Sequence, residues 1–501
     1  MKIPETSLSM HSETAPNKLT AKRIGPVLIP DCSHVLVRAF SSGSKSNTEH
    51  IICRILAMPE DRVKRKLDEI MIEFKDRHQN VEDTFTHRYT DICAFIGQEH
   101  DISIERKSLI GAYFCHEYSP EAAALMNPSI VVHPDQHYVP KGSMRFIMSL
   151  RAVGEGHISS ITFREGIIDK DNKIQILPSG KYLSEPTFIP GYLYHKELFG
   201  RKLFEAGLHN HFCRRVLSSL PDRFSLPELK RHLEDNRANM TVSDTIADRS
   251  VKGILLLAKS NYEVRFDPDI PLSQRILFPS GPTQSNGIED ARFVRFGNDD
   301  GSAIYYATYT AYDGKITMPQ LLETVDFLCF RFNTLNGPAV QNKGMALFPR
   351  KIGGKYVMLS RQDDENILIM YSDNIHFWQT PKIIMSPWRD WEFMKIGTCG
   401  SPIETDAGWL VLSHGVGAMR KYCLGAFLLD LEDPSKLIGR LEFPLLSPNE
   451  SERNGYVPNV VYSCGPMLHK RELIIPYAMS DYATSFATVN LDDCLAAMKC
   501  P

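Results

Sequence analysis

A repeated pattern of short β-strands is the feature that most constrains the fold of this sequence. Four segments share one plan, in which an apolar strand, a Gly/Asp turn, an aromatic-rich strand and a further strand follow each other; they begin at DARFVRF, GMALFPR, SPIETDAGWLVL and NVVYSCG. Successive copies start about 55 residues apart, a period typical of one four-stranded propeller blade. With the stretch from Met144 to Leu177 as a further copy, the repeats predict a mainly β fold, a five-bladed β-propeller.

The segments outside the repeats differ in texture. Residues 1–45 are rich in Ser, Thr, Lys and Pro and predict a mobile N-terminal arm. Residues 46–126 have helical spacing and predict a helical domain, which is a candidate surface for assembly into a homo-oligomer. The propeller is predicted over 127–501, with a helical insertion at about 194–260.

Charge and cysteine usage exclude several classes of function. Lys and Arg total 57 against 60 Asp and Glu, and this balance provides no overall field for nucleic acid or an anionic membrane surface. The 11 cysteines are scattered without zinc-ligand spacing, so we expect no metal site and reduced thiols. The N-terminal segment lacks an apolar signal core and no run of about 18 apolar residues occurs, which predicts a cytoplasmic protein.

Polar residues recur at comparable places in the repeats. In a propeller, the inner strands and the loops at one end face the axis, so these residues are expected to converge on one pocket. Carboxyl groups, cations and aromatic rings around one pocket suit a sugar with an anion beside it. The candidates for contact with such a ligand are Arg151, Glu155, His157, Arg292, Tyr309, Tyr477 and Asp481.

Several longer strings carry a resemblance to a known family. GIEDARF, YYATYTAYDG, NKGMALFPRKIGGKYVMLSR, KIGTCGSPIETDAGWLVLSHGV, GAFLLDLEDPSKLIGR and GYVPNVVYSCG, in this order, resemble glycoside hydrolase family one hundred and thirty, the β-mannoside phosphorylases and β-mannosidases. The resemblance covers roughly Asn127 to Leu495 outside the helical insertion. It implies a five-bladed propeller and an inverting reaction at a β-mannosidic bond.

The resemblance also implies roles for particular residues. The family's Glu-Asp-Pro-Arg motif reads Glu289-Asp290-Ala291-Arg292 here, so Asp290 takes the place of the catalytic proton donor and Arg292 that of a substrate contact. Ala291 departs from the family's proline, and Ser413-His414-Gly415 departs from a Tyr-His-Gly motif. The basic positions of the family that bind phosphate correspond to Lys343, Arg361 and His414.

Three functions follow as alternatives. A phosphorylase would convert a β-mannosyl oligosaccharide and inorganic phosphate into α-mannose 1-phosphate, with no cofactor besides the phosphate co-substrate. It needs cations for an anionic nucleophile, whereas an inverting β-mannosidase needs a carboxylate base to activate water; the candidates for that base are Glu323, Asp326, Asp363 and Asp364. A non-catalytic glycan-binding propeller is the third alternative. The retained basic residues favour the phosphorylase.

Overall fold

The computed structural model describes residues 18–238 and 245–500, and these form a mainly β structure with helices concentrated in two segments. The helices are α1 (Lys45–Leu56), α2 (Glu60–Phe74), α3 (Val81–Ile96), α4 (Ile104–Tyr113), α5 (Lys196–Glu205), α6 (His211–Ser219), α7 (Leu226–Ala238), α8 (Thr245–Lys259) and α9 (Leu491–Ala496). No helix within the described ranges is long and apolar enough to span a membrane.

The helices near the N-terminus begin where the sequence provides caps. The Ser44 hydroxyl accepts a hydrogen bond from the backbone N–H of Asn47 at the start of α1, and α2 follows Pro59, whose fixed φ suits a helix entrance. Val63 and Leu67 of α2 are buried against the other helices because they lie on one face of it. The prediction of helical structure to residue 126 is wrong at its end, since α4 stops at Tyr113 and strands follow.

The second group of helices, α5 to α8, lies within the stretch predicted as an insertion. These helices share one apolar core that includes Phe199, Phe224 and Ile254. The side chain of Asn210 caps α6 by accepting from the backbone N–H of Cys213 at 3.0 Å. The insertion therefore has its own core.

Strands are the commonest regular structure in the remaining chain. They are β1 (Lys22–Leu28), β2 (Leu36–Ala39), β3 (Cys115–Tyr118), β4 (Ala124–Val132), β5 (Met144–Val153), β6 (Ser159–Ile168), β7 (Ile174–Ile176), β8 (Thr187–Phe188), β9 (Leu193–His195), β10 (Arg223–Ser225), β11 (Tyr262–Arg265), β12 (Ile276–Leu277), β13 (Gly287–Gly297), β14 (Ala303–Tyr312), β15 (Thr317–Thr324), β16 (Cys329–Thr334), β17 (Ala346–Leu347), β18 (Tyr356–Ser360), β19 (Ile367–Ser372), β20 (Lys382–Met385), β21 (Lys395–Thr398), β22 (Ile403–Thr405), β23 (Gly408–Val416), β24 (Tyr422–Leu429), β25 (Leu437–Leu441), β26 (Val461–Tyr462), β27 (Met467–His469), β28 (Glu472–Met479), β29 (Ala483–Asn490) and β30 (Met498–Lys499).

Five antiparallel units follow one another along the chain. Unit 1 is β4-β5-β6-β7, unit 2 is β13-β14-β15-β16, unit 3 is β17-β18-β19-β20, unit 4 is β21-β23-β24-β25, and unit 5 is β26-β28-β29-β1. Units 1 and 2 join in one sheet through a parallel pairing of Ser159 in β6 with Gly287 in β13. Each of the sequence repeats thus corresponds to one unit.

Apolar cores lie between successive units. Phe163 of unit 1 packs on Phe293 of unit 2, and Phe348 beside unit 3 packs edge-on against Trp409 of unit 4. Further cores join unit 2 to unit 3 and unit 4 to unit 5. Phe146 and Phe486 meet at 6.3 Å between their ring centroids, so unit 5 also packs on unit 1. Each of the five units therefore packs against two others, and the last unit in the chain packs against the first.

The expected mobile arm over 1–45 is wrong where the structure describes it. Strand β1 pairs antiparallel with β29, from Lys22 opposite Thr488 to Leu28 opposite Thr484, and β2 pairs with β3. An edge strand is held by main-chain hydrogen bonds, which require little apolar sequence, and this is why composition missed it. Residues 1–17 of the predicted arm lie outside the described residues.

Candidate active site

A β-bulge in β13 determines the position of Asp290. Glu289 pairs with Thr310 and Arg292 with Thr308, so the two intervening residues of β13 face a single residue of β14. Asp290 has a φ of 54°, a left-handed conformation that Asp tolerates better than most residues. The bulge places the Asp290 carboxyl against residues of unit 1.

The Asp290 carboxylate lies among polar and cationic groups. Its Oδ1 accepts a hydrogen bond from Nδ2 of Asn127 at 2.6 Å and from Nη1 of Arg151 at 3.3 Å. Burial opposes its ionisation, but the charges of Arg151 and Lys343 and the hydrogen bond from Asn127 outweigh burial and lower the pKa of Asp290. Among the described residues, none donates a hydrogen bond to its Oδ2.

Asp481, a predicted ligand contact, is a further carboxyl of this site besides Asp290 and Glu289, whose Oε1 accepts from Nη2 of Arg151 at 2.6 Å. It follows β28 with a φ of 51°. Burial and the nearby charge of Asp290 raise the pKa of Asp481 to about 6, against the opposing charges of Arg151 and Arg420. Two neighbouring carboxyl groups whose pKa values are shifted in opposite directions are typical of acid–base chemistry.

Arg292 does not present its terminal nitrogens to open space. Its Nη1 donates to the carbonyl of Gly344 at 2.8 Å and to Oγ1 of Thr398 at 2.9 Å, and its Nη2 donates to the hydroxyl of Tyr462 at 2.7 Å. Arg292 is almost fully buried. Gly344 lies just before unit 3, Thr398 lies in unit 4 and Tyr462 lies in unit 5. Arg292 therefore links unit 2 to the other units and is not the predicted substrate contact.

Arg361 and His414, two of the predicted phosphate ligands, are in contact. Nη1 of Arg361 lies 3.2 Å from Nε2 of His414, and Nη2 of Arg361 lies 3.3 Å from Oδ1 of Asp364. Burial and the charges of Arg361 and Arg292 lower the pKa of His414 well below its usual range. The His414 imidazole is therefore neutral and adds no positive charge of its own, contrary to the expectation that it would serve as a cation.

Lys343 connects the carboxyl groups of the site, Asp290 and Asp481, with the part around Arg361. The neighbouring Asn342 donates from Nδ2 to the backbone carbonyl of Arg361 at 3.0 Å, which holds the loop that carries Lys343 beside Arg361. The charge of Lys343 acts on both Asp290 and Asp481. The structure thus brings together the predicted Asp290, Arg151, Lys343, Arg361 and Asp481.

Glu155 and His157 lie at the edge of this arrangement. Both belong to the turn between β5 and β6, and the carbonyl of Glu155 accepts a hydrogen bond from the Tyr118 hydroxyl. The ring of His157 lies 5.5 Å from that of Tyr456, a largely exposed side chain. No contact between described residues joins these two side chains to Asp290.

Tyr309 and Tyr477 are not ligand contacts. Tyr309 lies in the core between units 1 and 2, where its hydroxyl accepts from Nε2 of Gln284 and donates to Oε1 of Gln320. Tyr477 lies in the core between units 4 and 5 and donates to Oε1 of Glu452 at 2.7 Å. The expectation for both was wrong, because each hydroxyl is already satisfied in the interior.

The residues considered as hydrolytic bases are dispersed. Asp326 and Asp363 accept hydrogen bonds from backbone N–H groups two and three residues further on, as turn residues do. Asp364 pairs with Arg361 and with Lys395. Glu323 lines a separate cavity at β15 and β16. None of these four contacts Asp290 in the described part of the chain.

Sequence reasoning missed three partners of the site. Asn127 stands at a register shift of β4 with a φ of 51°, for which the following proline is the only local signal. Thr398 and Tyr462 hold Arg292 and lie in strings that carry the family resemblance, although nothing in their residue types marks them. No group of three or more His, Cys, Asp and Glu side chains that could hold a metal occurs within the ranges the structure describes.

Comparisons with known proteins find a matching family model and several similar sequences. The model of glycoside hydrolase family 130, described as beta-1,4-mannooligosaccharide phosphorylase, matches residues 259–500. The chain is 38% identical over 215 residues to 1,2-beta-oligomannan phosphorylase of Thermoanaerobacter sp. (strain X514), covering 41% of this chain and 69% of the relative. It is 36% identical over 243 residues to beta-1,2-mannobiose phosphorylase of the same organism, covering 46% of this chain and 73% of the relative.

A solved structure gives a weaker match over a longer stretch. Beta-1,2-mannobiose phosphorylase from Listeria innocua, in complex with beta-1,2-mannobiose, is 20% identical, covers 75% of this chain and 92% of that chain, and has a TM-score of 0.46. The two sequence relatives exceed 30% identity over more than two thirds of their own length. The protein belongs to glycoside hydrolase family 130, which confirms the resemblance seen in its motifs.

Proposed function

We propose that this protein catalyses the inverting phosphorolysis of β-mannosidic bonds in manno-oligosaccharides and releases α-mannose 1-phosphate. The observation that carries the proposal is the position of Asp290 between Asn127 and Arg151 of unit 1 and the charge of Lys343. This arrangement provides a carboxyl for proton transfer together with cations for an anionic nucleophile. The named activities of the sequence relatives are of the same kind.

Asp290 supplies the proton to the leaving oxygen, directly or through a sugar hydroxyl. In the free protein the charges of Arg151 and Lys343, against burial, lower the pKa of Asp290, so its carboxyl is ionised at neutral pH. A phosphate beside Lys343 offsets that cation and raises the pKa of Asp290. Binding of phosphate therefore favours the protonated form of Asp290, which is the form that donates the proton.

Lys343 and Arg361 bind the phosphate. Arg361 offers a planar fork to two phosphate oxygens, whereas Lys343 acts as a point charge. Neutral His414 contacts Nη1 of Arg361 and orients the guanidinium without adding charge. Held in this way, a phosphate oxygen attacks the anomeric carbon on the face opposite the leaving group, which inverts its configuration.

The remaining residues shape the sugar side of the site. Asp481 contacts hydroxyl groups of the mannosyl ring, and Glu155 and His157 lie at the mouth. Arg151, a predicted sugar contact, already donates to Ser159, Glu289 and Asp290, so it positions these carboxyl groups. We place these residues around the axis of a five-bladed propeller, because five antiparallel units pack in succession and unit 5 contacts unit 1. In this division, helices α1 to α4 form a separate helical domain that offers a surface for self-association.

One observation favours a second candidate, an inverting β-mannosidase. Asp481 is a carboxyl whose charge interacts with that of Asp290, and an inverting hydrolase uses two carboxyl groups about 6.5–9.5 Å apart. In that reaction Asp481 would activate water. The cations Lys343 and Arg361 have no task in hydrolysis, and this favours the phosphorylase.

Product analysis with and without phosphate separates the two candidates. We expect β-1,2- or β-1,4-mannobiose to give mannose 1-phosphate only in phosphate buffer, and Lys343→Ala to remove that product. Free mannose formed at an equal rate in phosphate-free buffer would identify the hydrolase. Absence of any product with a panel of mannosides would favour the glycan-binding propeller.

A further inference from the structure

A second polar cavity lies away from Asp290, between the helical insertion and the outer strands of unit 2. Its volume is about 440 Å³, which is within the range of small-molecule sites. The insertion contributes Tyr192, Tyr194 and Arg223, whereas β11, β15, β16 and the loop after β19 contribute the rest of the wall. Its lining shares no residue with the site around Asp290, Lys343 and Arg361.

Glu323 is at the centre of a hydrogen-bonded group in this cavity. Its Oε1 accepts from Nδ2 of Asn333 at 2.7 Å and lies 3.4 Å from Nε2 of His376. The hydroxyl of Tyr192, at the start of the insertion, donates to Oδ1 of Asn333. A chain of contacts thus runs from the insertion to the carboxyl of unit 2.

Two buried polar atoms of the lining have no partner among the described residues, namely Nδ1 of His376 and Oδ1 of Asn336. The amide nitrogen of Asn336 donates to the carbonyls of Thr334 and His376, so its unpaired oxygen is an acceptor. When Nε2 of His376 donates to ionised Glu323, its Nδ1 is an acceptor as well. Both atoms therefore require hydrogen-bond donors.

The charge in the cavity is nearly balanced. Arg331 pairs with Glu263 at 3.2 Å, and both residues line the wall. Burial lowers the pKa of His376 to about 4, and the charge of Arg331 adds to this effect, so the imidazole is neutral. Burial raises the pKa of Glu323 to about 7, so its carboxyl is ionised in only part of the molecules at neutral pH. Arg223 is a second cation of the lining, and partly ionised Glu323 offsets much of its charge, so the cavity offers no strong attraction to an anion.

We propose that this cavity is a second saccharide site, which binds a neutral mono- or disaccharide through Glu323, His376, Asn336 and the tyrosine rings of the insertion. Sugar hydroxyls both donate and accept hydrogen bonds, whereas an inorganic phosphate dianion has a single O–H donor and leaves at least one of the two acceptors unpaired. Tyr192 and Tyr194 provide aromatic surface for the C–H face of a sugar ring. The choice of mannosides as probes rests on the proposed function, but the class of ligand rests on the cavity alone.

Calorimetric titration in phosphate-free buffer tests this site. The probes are mannose, β-1,2-mannobiose, glucose and cellobiose, and the protein carries Asp290→Asn so that no probe is consumed. We expect two saccharide sites per chain for at least one probe. Addition of the isosteric Glu323→Gln should weaken one of them at least tenfold and leave the other unchanged.

Matched variants give the control and a second measurement. Asp373→Asn changes a carboxyl on the same loop as His376 that is 83% exposed and outside the cavity lining, and it should leave both sites unchanged. Tyr192→Phe should weaken the cavity site alone, with circular dichroism unaltered.

The outcomes separate this inference from the proposed function. A single binding event for every probe, or two events that Glu323→Gln and Tyr192→Phe leave unchanged, would overturn the second site. Binding of mannose 1-phosphate in the cavity without binding of any neutral sugar would overturn the ligand class. Failure of phosphorolysis in the unaltered chain would instead contradict the proposed function.

Discussion

Nη1 of Arg361 lies 3.2 Å from Nε2 of His414, and the imidazole accepts this contact because it is uncharged. Arg361 follows the last residue of β18 in unit 3, whereas His414 lies in β23 of unit 4. The contact therefore depends on how two successive units pack. A neutral acceptor restrains the guanidinium without offsetting its charge, which Asp364 on the other side partly balances.

Arg361→Lys should lower kcat/KM for phosphate by roughly ten- to a hundredfold, because lysine cannot bind two oxygens in a fixed plane. Initial rates at varied phosphate concentration measure this effect. The matched control is Arg350→Lys, at an exposed pair with Glu404, which should leave kcat/KM unchanged. Equal kinetics for Arg361→Lys and the unaltered protein would remove Arg361 from the phosphate site.

Asp290→Asn should lower kcat by about 10²- to 10⁴-fold, the range for loss of a general acid. The amide is nearly isosteric, so the fold should be retained, but loss of the charge beside Arg151 and Lys343 should lower the thermal stability. Asp363→Asn is the control, because this turn residue lies in an exposed loop and an amide oxygen can still accept its two backbone hydrogen bonds. If the two variants are equally active, Asp290 is not the proton donor.

Asp481 should determine the acidic limb of the pH profile. Burial and the charge of Asp290 raise its pKa to about 6, so below that pH the carboxyl takes up a proton and no longer accepts two hydrogen bonds from sugar hydroxyls. We expect kcat/KM for the mannoside to fall as the pH drops through about 6. Asp481→Asn should lower kcat/KM and abolish this limb, whereas a limb that persists in the variant would assign it to another group.

Gly397→Ala should disturb the phosphate site without touching Asp290. A Cβ atom at Gly397 would lie 2.5 Å from Cε1 of His414 and 3.2 Å from Nη1 of Arg361, so one of these side chains must move. We expect the KM for phosphate to rise severalfold. Gly297→Ala is the control, since the nearest atom to its added Cβ is 4.0 Å away, and equal KM values for the two variants would contradict the prediction.

Tyr462→Phe should destabilise the fold by about 1.5–3 kcal/mol, because it removes the acceptor of a buried hydrogen bond from charged Arg292. Denaturant unfolding monitored by tryptophan fluorescence measures this loss. Tyr312→Phe is the matched control, since its hydroxyl donates to the carbonyl of Gly314 at an exposed position. Equal free energies of unfolding would show that the links through Arg292 do not stabilise the assembly of units.

The strand repeats and the central carboxyl were predictable from sequence for a physical reason. Alternating apolar residues between turns specify antiparallel strands, and the repeated plan specifies that similar units follow one another. Asp290, Lys343 and Arg361 were found because their motifs resemble those of a family. That these residues lie close together could be predicted from their places in the repeats, without knowing any side-chain conformation.

The errors share a different physical cause. Residue type shows that Tyr309, Tyr477 and Arg292 can form hydrogen bonds, but not whether their partners are ligand atoms or interior groups. Those partners come from distant parts of the chain and are set by tertiary packing. The cavity at Glu323 escaped prediction in the same way, since the insertion and unit 2 create it together.

The pairing of β1 with β29 has a consequence for how the protein is made. Lys22 leaves the ribosome long before its partner Thr488, because almost all of the described chain lies between them. Until β29 has been made, β1 has no partner and exposes backbone groups that other chains can pair with. Closure of unit 5 is therefore a long-range event, and a bulky fusion directly before β1 should reduce the yield of folded protein more than one placed after β30.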